Sequence, residues 1–208
     1  MKSAAMTLPI ELPSESNLAG MVLDPDVRVL LLTAANNGSG TTTCALSLAN
    51  ELARGSRDRV LLMDASLSDV SVSRRLGLEQ RPGFIEMLAD PDFALADAVV
   101  SLDTLPFDVM PAGGKGHLSP KALGHLFARL REQYRFVVID GDAVYANSDS
   151  LTIAALADGV VLVVRAEETR WEVAQAAVQR LQQADARLIG SIFNERRYYM
   201  PKWIYDNL

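Results

Sequence analysis

Short apolar runs alternate with longer stretches of helical periodicity along most of this chain. The runs VRVLLLT (27–33), RVLLMD (59–64), FDVMPAG (107–113), FVVID (136–140), GVVLVV (159–164) and RLIGSIFN (187–194) are rich in branched residues and poor in interior polar positions. A strand solvated on one face would alternate apolar with polar, so these runs predict parallel strands buried on both faces. Between them lie TTTCALSLANELARG, closing at Gly55, SPKALGHLFARLREQ, with Ser119 as cap and Pro120 in the first position, and TRWEVAQAAVQRLQQA. Each has the apolar spacing and the end signals of a helix. Strand alternating with helix implies crossover units, and the expected fold is α/β: a doubly wound, mostly parallel sheet with helices on both faces.

The regular pattern fills residues 27–195, which read as one domain, and 208 residues with 49% hydrophobic content suit a single well-filled core. Residues 1–26 mix Pro9, Pro13 and Pro25 with serines and acids without a period. They read as an extended arm or linker, or as a docking segment that orders on a partner. Residues 196–208, RRYYMPKWIYDNL, form an aromatic and basic tail whose Trp203, Ile204 and Tyr205 either pack back on the domain or meet a partner.

In doubly wound sheets the ligand sits at the carboxyl ends of the strands. The stretch AANNGSGTTT follows the first strand, Asp64 ends the second, Asp140 ends FVVID, and Asn194 ends the last. Glycines at 38 and 40 let the main chain approach an anion, and a helix starting near Thr41 aims unpaired amides and its positive dipole end at the same place. That is the layout of a phosphate-binding loop, with Asn37, Gly38, Ser39, Gly40, Thr41, Thr42 and Thr43 as candidate contacts. An ordinary strand-to-helix turn is the alternative. After the last loop glycine the pattern calls for Lys and then Ser or Thr, yet the chain supplies Thr41 and Thr42. Thr42 stands where a hydroxyl would ligate Mg²⁺, and Asp140 where a second, water-mediated metal contact is expected. The missing ammonium would follow the charge developing on the transferred phosphate, and such groups are worth roughly a thousandfold in rate. Binding is therefore expected to outlast fast chemistry. The expected cofactors are ADP or ATP with Mg²⁺, or none at all if the loop has collapsed onto Asp64 and Asp140.

Charge and cysteine content narrow the partners. Lys and Arg total 20 against 26 Asp and Glu, and the basic residues are scattered, so nucleic acid is not an expected partner. Cys44, the only cysteine, excludes an internal disulfide, fits a reducing compartment and reads as a small buried residue. No stretch has the form of a secretory signal or approaches the roughly 20 apolar residues of a membrane span. The expected location is cytoplasmic, with any contact to the inner membrane peripheral and made through a partner. His117 and His125 lack metal-ligand spacing and are assigned to the surface. Lys115, in GGKGH, is either a solvated loop residue or a substitute for the missing lysine.

The ordered set NNGSGTTTCALSLA, VLLMDASLSDVSVSRRLGL, RPGFIEMLAD, FDVMPAG, YRFVVIDGDAVYANSDSLTIAALADGVVLVVRAEET and IGSIFNERRYY resembles the cytoplasmic domain of bacterial tyrosine autokinases. These accompany membrane proteins that control exopolysaccharide or capsule chain length, and belong with the ParA and MinD types among the deviant Walker ATPases of P-loop fold. The likeness runs from about residue 27 to 199. It implies that Gly38 and Gly40 match the loop glycines, that Ser39 replaces an acid and Thr41 the lysine, and that Thr42 keeps the metal-binding hydroxyl. Asp64 matches the first aspartate of the second motif and is the remnant of the catalytic set, whereas Ser66 replaces the second aspartate and Ser68 an arginine. Asp140 matches the third motif, with Gly141 and Asp142 in place of threonine and proline. The implied metal contacts are thus Thr42, Asp140 and Asp64. Asn194 resembles the asparagine that reads the adenine edge, and is otherwise an ordinary strand-end cap. Tyr198, Tyr199 and Tyr205 are the candidate phospho-acceptors left from a longer tyrosine run. The family's E-x-x-R-x-x-R helix has no counterpart before residue 27, so its ring assembly is not implied, although a homodimer is compatible. The resemblance points to a catalytically impaired pseudokinase or pseudo-ATPase acting as scaffold or regulator in exopolysaccharide or capsule biosynthesis and export. Its implied partner is a membrane-embedded polysaccharide copolymerase or another export protein. The alternative is a slow but active tyrosine autokinase or a ParA-like or MinD-like ATPase.

Overall fold

The computed structural model describes residues 24–55, 58–66 and 71–195, so Ser68, most of the 1–26 arm and the whole 196–208 tail with its tyrosines lie outside the described residues. Strand β1 (Val29–Ala34) leads through the glycine loop into α1 (Thr41–Gly55), followed by β2 (Val60–Asp64), α2 (Val72–Arg75), α3 (Phe84–Ala89) and α4 (Leu95–Ala98). Then come β3 (Val100–Ser101), β4 (Asp108–Met110), α5 (Pro120–Gln133), β5 (Phe136–Asp140), α6 (Asp149–Leu156), β6 (Gly159–Arg165), α7 (Trp171–Gln183) and β7 (Leu188–Asn194). The seven strands form one sheet in the order β3-β4-β2-β5-β1-β6-β7, parallel throughout except for the short β3 against β4. The α/β, doubly wound arrangement expected from the sequence is the one observed.

Successive strand side chains point to opposite faces, and here both faces are covered, which is why the runs lack polar interiors. On one face Leu31, Met63, Ile139 and Leu162 pack against Phe84, Leu123, Phe127, Ile153 and Leu181 of the helices α3, α5, α6 and α7. On the other, Leu32, Leu62, Val138 and Val163 pack against Ala45, Leu48 and Leu52 of α1 and Val72 of α2. Cys44 lies in this second layer, and burial, aided by the charge of Asp140, pushes its thiol up to about 11, so it is the inert apolar residue expected. At the opposite end of β1 the Asp158 carboxylate accepts the Arg28 and Val29 amides at 3.0 and 2.8 Å and pairs with Arg131 at 2.6 Å. This pins the start of the central strand.

The register matters most at the carboxyl rim. Leu32 stands opposite Asp140, and Asp140 stands opposite Asp64. Thus the ends of β1, β5 and β2 bring the glycine loop and two aspartates side by side.

Three departures from the sequence expectation have local causes. The run 107–113 is a strand only over Asp108–Met110, because the Pro111 and Ala112 carbonyls turn to accept the Phe84 and Ile85 amides and so dock the start of α3. Strand β7 is not buried on both faces: it is a sheet edge, and Phe193 is 66% exposed. Helices α2, α3, α4 and α6 went unread, since four to eight residues are too few to show a period of 3.6. Pro120 does sit at the first turn of α5, but the Ser119 hydroxyl makes no capping hydrogen bond. Lys115, His117 and His125 are exposed, and none of them lines the main cleft.

Phe127 is among the largest fully buried side chains and holds α5 to the sheet. Phe127→Ala should cost about 3–5 kcal/mol of unfolding free energy in a urea titration. A loss under about 1 kcal/mol would contradict this packing.

Candidate functional site

The glycine loop takes its shape from two positive φ angles, +78° at Gly38 and +85° at Gly40, which side-chain-bearing residues rarely adopt. A Cβ at Gly40 would also stand 2.0 Å from the Asn194 amide nitrogen. That amide donates to the Ser39 carbonyl at 2.9 Å, while the Ser39 hydroxyl turns inward to donate to the Asn36 carbonyl at 2.8 Å. The Cys44 amide already donates to the Gly40 carbonyl at 3.0 Å, so α1 begins directly at the loop. Its first amides are left without intrahelical acceptors and face the rim.

In front of them opens a cleft of about 490 Å³. Asn37, Gly38, Gly40, Thr41, Thr42 and Thr43 form its floor. Ser66 and Arg75 line it from the segment after β2, Asp142 from the segment after β5, and Asn194 and Glu195 from the end of β7. An open cleft stands in front of the loop, and Asp64 is engaged away from it. One Asp64 oxygen accepts the Ser66 amide at 3.0 Å; the other accepts the amide and hydroxyl of Ser73 at 2.8 and 2.5 Å. Ser73 in turn accepts the Ala112 amide at 3.0 Å. Asp64 is therefore the buried anchor of the short helix α2.

Asp140 is the opposite case. It is equally buried, with 0% exposure, yet neither carboxylate oxygen has a hydrogen bond of ordinary geometry. Burial, and then the neighbouring charge of Asp64, push its carboxyl up to about 8, while the Thr42 hydroxyl beside it pulls the other way. A buried carboxylate left without partners costs free energy unless something cationic or protic meets it. The donor set fits a magnesium ion: a hydroxyl at Thr42 and a carboxylate at Asp140, with phosphate oxygens to complete the hard-oxygen shell. Among the described residues no cluster of three or more His, Cys, Asp or Glu could hold a metal ion.

Two further groups were missed in the sequence. Asp142 places one carboxylate oxygen 2.5 Å from the Ser66 hydroxyl and the other 2.9 Å from the Asn147 amide nitrogen. A carboxylate thus stands one hydrogen bond from the position where the resemblance implied that one had been lost. Arg75 donates to the Thr43 hydroxyl at 3.1 Å across the cleft from its own helix. Its signal was SRR, a basic pair soon after the second strand; that of Asp142 was DGD, a charge left in an apolar context.

The expected loop contacts gather at one place, except that Ser39 is buried beneath the loop. Thr42 and Asp140 are brought together, and Asp140, like Asp64, lies fully buried beneath the cleft lining. Asn194 holds the loop and borders the cleft.

No protein-family model matches the chain. Similar proteins do. The tyrosine-protein kinase YwqD of Bacillus subtilis is 29% identical over 204 residues, covering 93% of this chain and 85% of that one. The succinoglycan biosynthesis transport protein ExoP of Rhizobium meliloti is 25% identical over 183 residues, 84% of this chain but only 23% of ExoP. Among solved structures, the VpsO kinase domain superposes with a TM-score of 0.76 at 30% identity, over 86% of this chain and 92% of that domain. The Mg-ADP complex of the septum site-determining protein MinD from Pyrococcus horikoshii shares the fold, with a TM-score of 0.68 at 21% identity over 86% of this chain and 76% of that one.

The state of Asp140 has a measurable consequence. Between about pH 4, the ordinary carboxylate value, and about pH 8 the native carboxyl keeps a proton that the unfolded chain has lost. The unfolded state then binds fewer protons, so stability of the ligand-free protein should fall as pH rises through that window and level off above it. Asp140→Asn should remove this slope and raise the neutral-pH melting temperature of the ligand-free protein by several degrees, at about 2–4 °C per kcal/mol. The slope unchanged in Asp140→Asn, in melts read across the window, would contradict this account.

Proposed function

The chain belongs to the bacterial tyrosine kinase family, and on that premise we propose that it is a magnesium-nucleotide-binding scaffold or regulator with impaired phosphoryl transfer. The reading is carried by one observation: the glycine loop keeps its cradle of amides, and an orphaned Asp140 stands beside Thr42, although position 41 is a threonine. Thr42 and Asp140 would hold the metal, with Asp64 behind them. When bound, Mg²⁺ would neutralise charge on the terminal phosphates. The loop amides orient those phosphates, and Asn194 sits where it could border the base. Thr41 can add one neutral hydrogen bond but no charge that tracks the transition state.

The proposed setting is exopolysaccharide or capsule biosynthesis and export, supported by the likeness to ExoP. No helix among the described residues is long and apolar enough to cross a membrane. The proposed partner is a membrane-embedded polysaccharide copolymerase or another export protein, met from the cytoplasmic side, with a homodimer as the further assembly.

A second reading, a slow tyrosine autokinase, draws on the Asp142 carboxylate beside Ser66. A carboxylate there could accept the proton of an incoming tyrosine hydroxyl. Tyr198, Tyr199 and Tyr205 would be its acceptors.

Titration calorimetry with ADP and ATP, with and without Mg²⁺, tests the proposal. The expected result is Mg²⁺-dependent binding with phosphate release near background, and a rise in turnover of roughly a hundred- to a thousandfold on Thr41→Lys. Turnover of the native chain at the rate of its lysine-bearing variant would contradict impairment. Phosphotyrosine formed from ATP and lost in Asp142→Asn would favour the second reading.

A further inference from the structure

The cleft floor offers amides and hydroxyls, and the acidic residues lining it, Asp142 and Glu195, are unfavourable to a polyphosphate. Among the described residues lining it, Arg75 is the only cation. Its position is set from below. Asp64 fixes the amide and hydroxyl of Ser73, and Arg75 follows two residues later at the end of the four-residue α2. The guanidinium thereby reaches the first turn of α1 and donates to the Thr43 hydroxyl at 3.1 Å. Other arginines at strand and helix ends meet carboxylates: Arg59 with Asp108, Arg131 with Asp158, and Arg165 with Glu168 and Glu195. Among the described residues Arg75 forms no such ion pair, and its hydrogen-bond acceptor is a neutral hydroxyl. A half-buried guanidinium has five donors in a fork that suits phosphate oxygens, and Arg75 lines the cleft. Asp140 beside Thr42, without a hydrogen bond of ordinary geometry on either oxygen, also marks this rim as a place for a ligand, and the Arg75 charge is felt there.

We infer that Arg75 supplies, from the wall facing the glycine loop, the cationic contact to the terminal phosphates of a nucleotide that Thr41 cannot make. The inference rests on the nucleotide-binding reading above and adds to it which side chain replaces the lost lysine. A lysine at position 41 projects from the loop itself, whereas Arg75 enters from α2. Its charge is therefore coupled to the placement of that helix by Asp64. The geometry favours binding of the ground-state phosphates; it assigns Arg75 no part in bond cleavage.

The test compares the native chain with Arg75→Gln, Arg75→Lys, Arg74→Gln, Thr41→Lys and the Thr41→Lys, Arg75→Gln pair. Affinities for Mg-ADP and for adenosine are measured by calorimetry, with melting curves to compare folding. Arg75→Gln should weaken Mg-ADP by roughly ten- to a hundredfold, the range for losing a charged hydrogen bond, and leave adenosine unchanged. Arg75→Lys should keep much of the affinity, Arg74→Gln should match the native chain, and Thr41→Lys should rescue the loss in the pair. Mg-ADP affinity within about twofold of native in Arg75→Gln would overturn the inference while leaving the nucleotide site standing. An equal loss for adenosine would also overturn it, showing that Arg75 shapes the loop instead of meeting phosphate. Should Arg75→Gln melt far below the native chain, Arg75→Lys decides: Mg-ADP affinity largely kept supports the contact, and an equal loss for Mg-ADP and adenosine, or Mg-ADP affinity as low as in Arg75→Gln at a native melting temperature, overturns it. A native chain that binds no Mg-ADP would refute both the nucleotide reading and this inference.

Discussion

Parallel pairing of β2 with β5 forces Asp64 and Asp140 into register beneath the glycine loop, and two buried carboxylates cannot share that place on equal terms. The fold resolves the conflict by giving them different partners. Asp64 receives the Ser66 amide and both groups of Ser73; Asp140 receives nothing of ordinary geometry and leans toward Thr42. One aspartate thus becomes architecture and the other an unsatisfied group beside the Thr42 hydroxyl. Such a group destabilises the free protein and is retained where a ligand relieves it.

From that division the rest of the rim follows. Because Asp64 is committed to Ser73, α2 is held close enough for Arg75 to cross to Thr43. Because position 66 is a serine, the Asp142 carboxylate can approach its hydroxyl, steadied by Asn147. The charges that the resemblance marks as missing, a cation at 41 and an anion at 66, are both found again within the cleft on other segments. Electrostatics at this rim depends on where charge sits in space, and two chain positions can exchange that duty without altering the fold.

Much of this was legible in the sequence. The uninterrupted runs identified six strands, the glycine spacing identified the loop, and strand-end placement gathered Thr42, Asp140 and Asn194 at one rim. What escaped was short or relational. Four-residue and eight-residue helices show no periodicity, so α2 and α6 were invisible, and with α2 went Arg75. Asp142 was seen only as a departure from a pattern, since its proximity to Ser66 spans 76 positions of sequence. The edge position of β7 could not be read from RLIGSIFN, because an edge is a property of strand order. Asp64 and Asp140 looked alike as strand-end acids, and only their hydrogen bonds separate them.

The central claim is that main-chain amides at a glycine bend, together with Thr42 and Asp140, hold a magnesium-bound phosphate after the lysine has gone. A crystal structure of the chain with Mg-ADP tests it most directly. The account predicts the terminal phosphate within hydrogen-bond distance of the Gly38 to Thr42 amides, with the metal held at Thr42 and turned toward Asp140. Nucleotide bound away from the loop, or the metal bound with Asp140 still unpartnered, would contradict it.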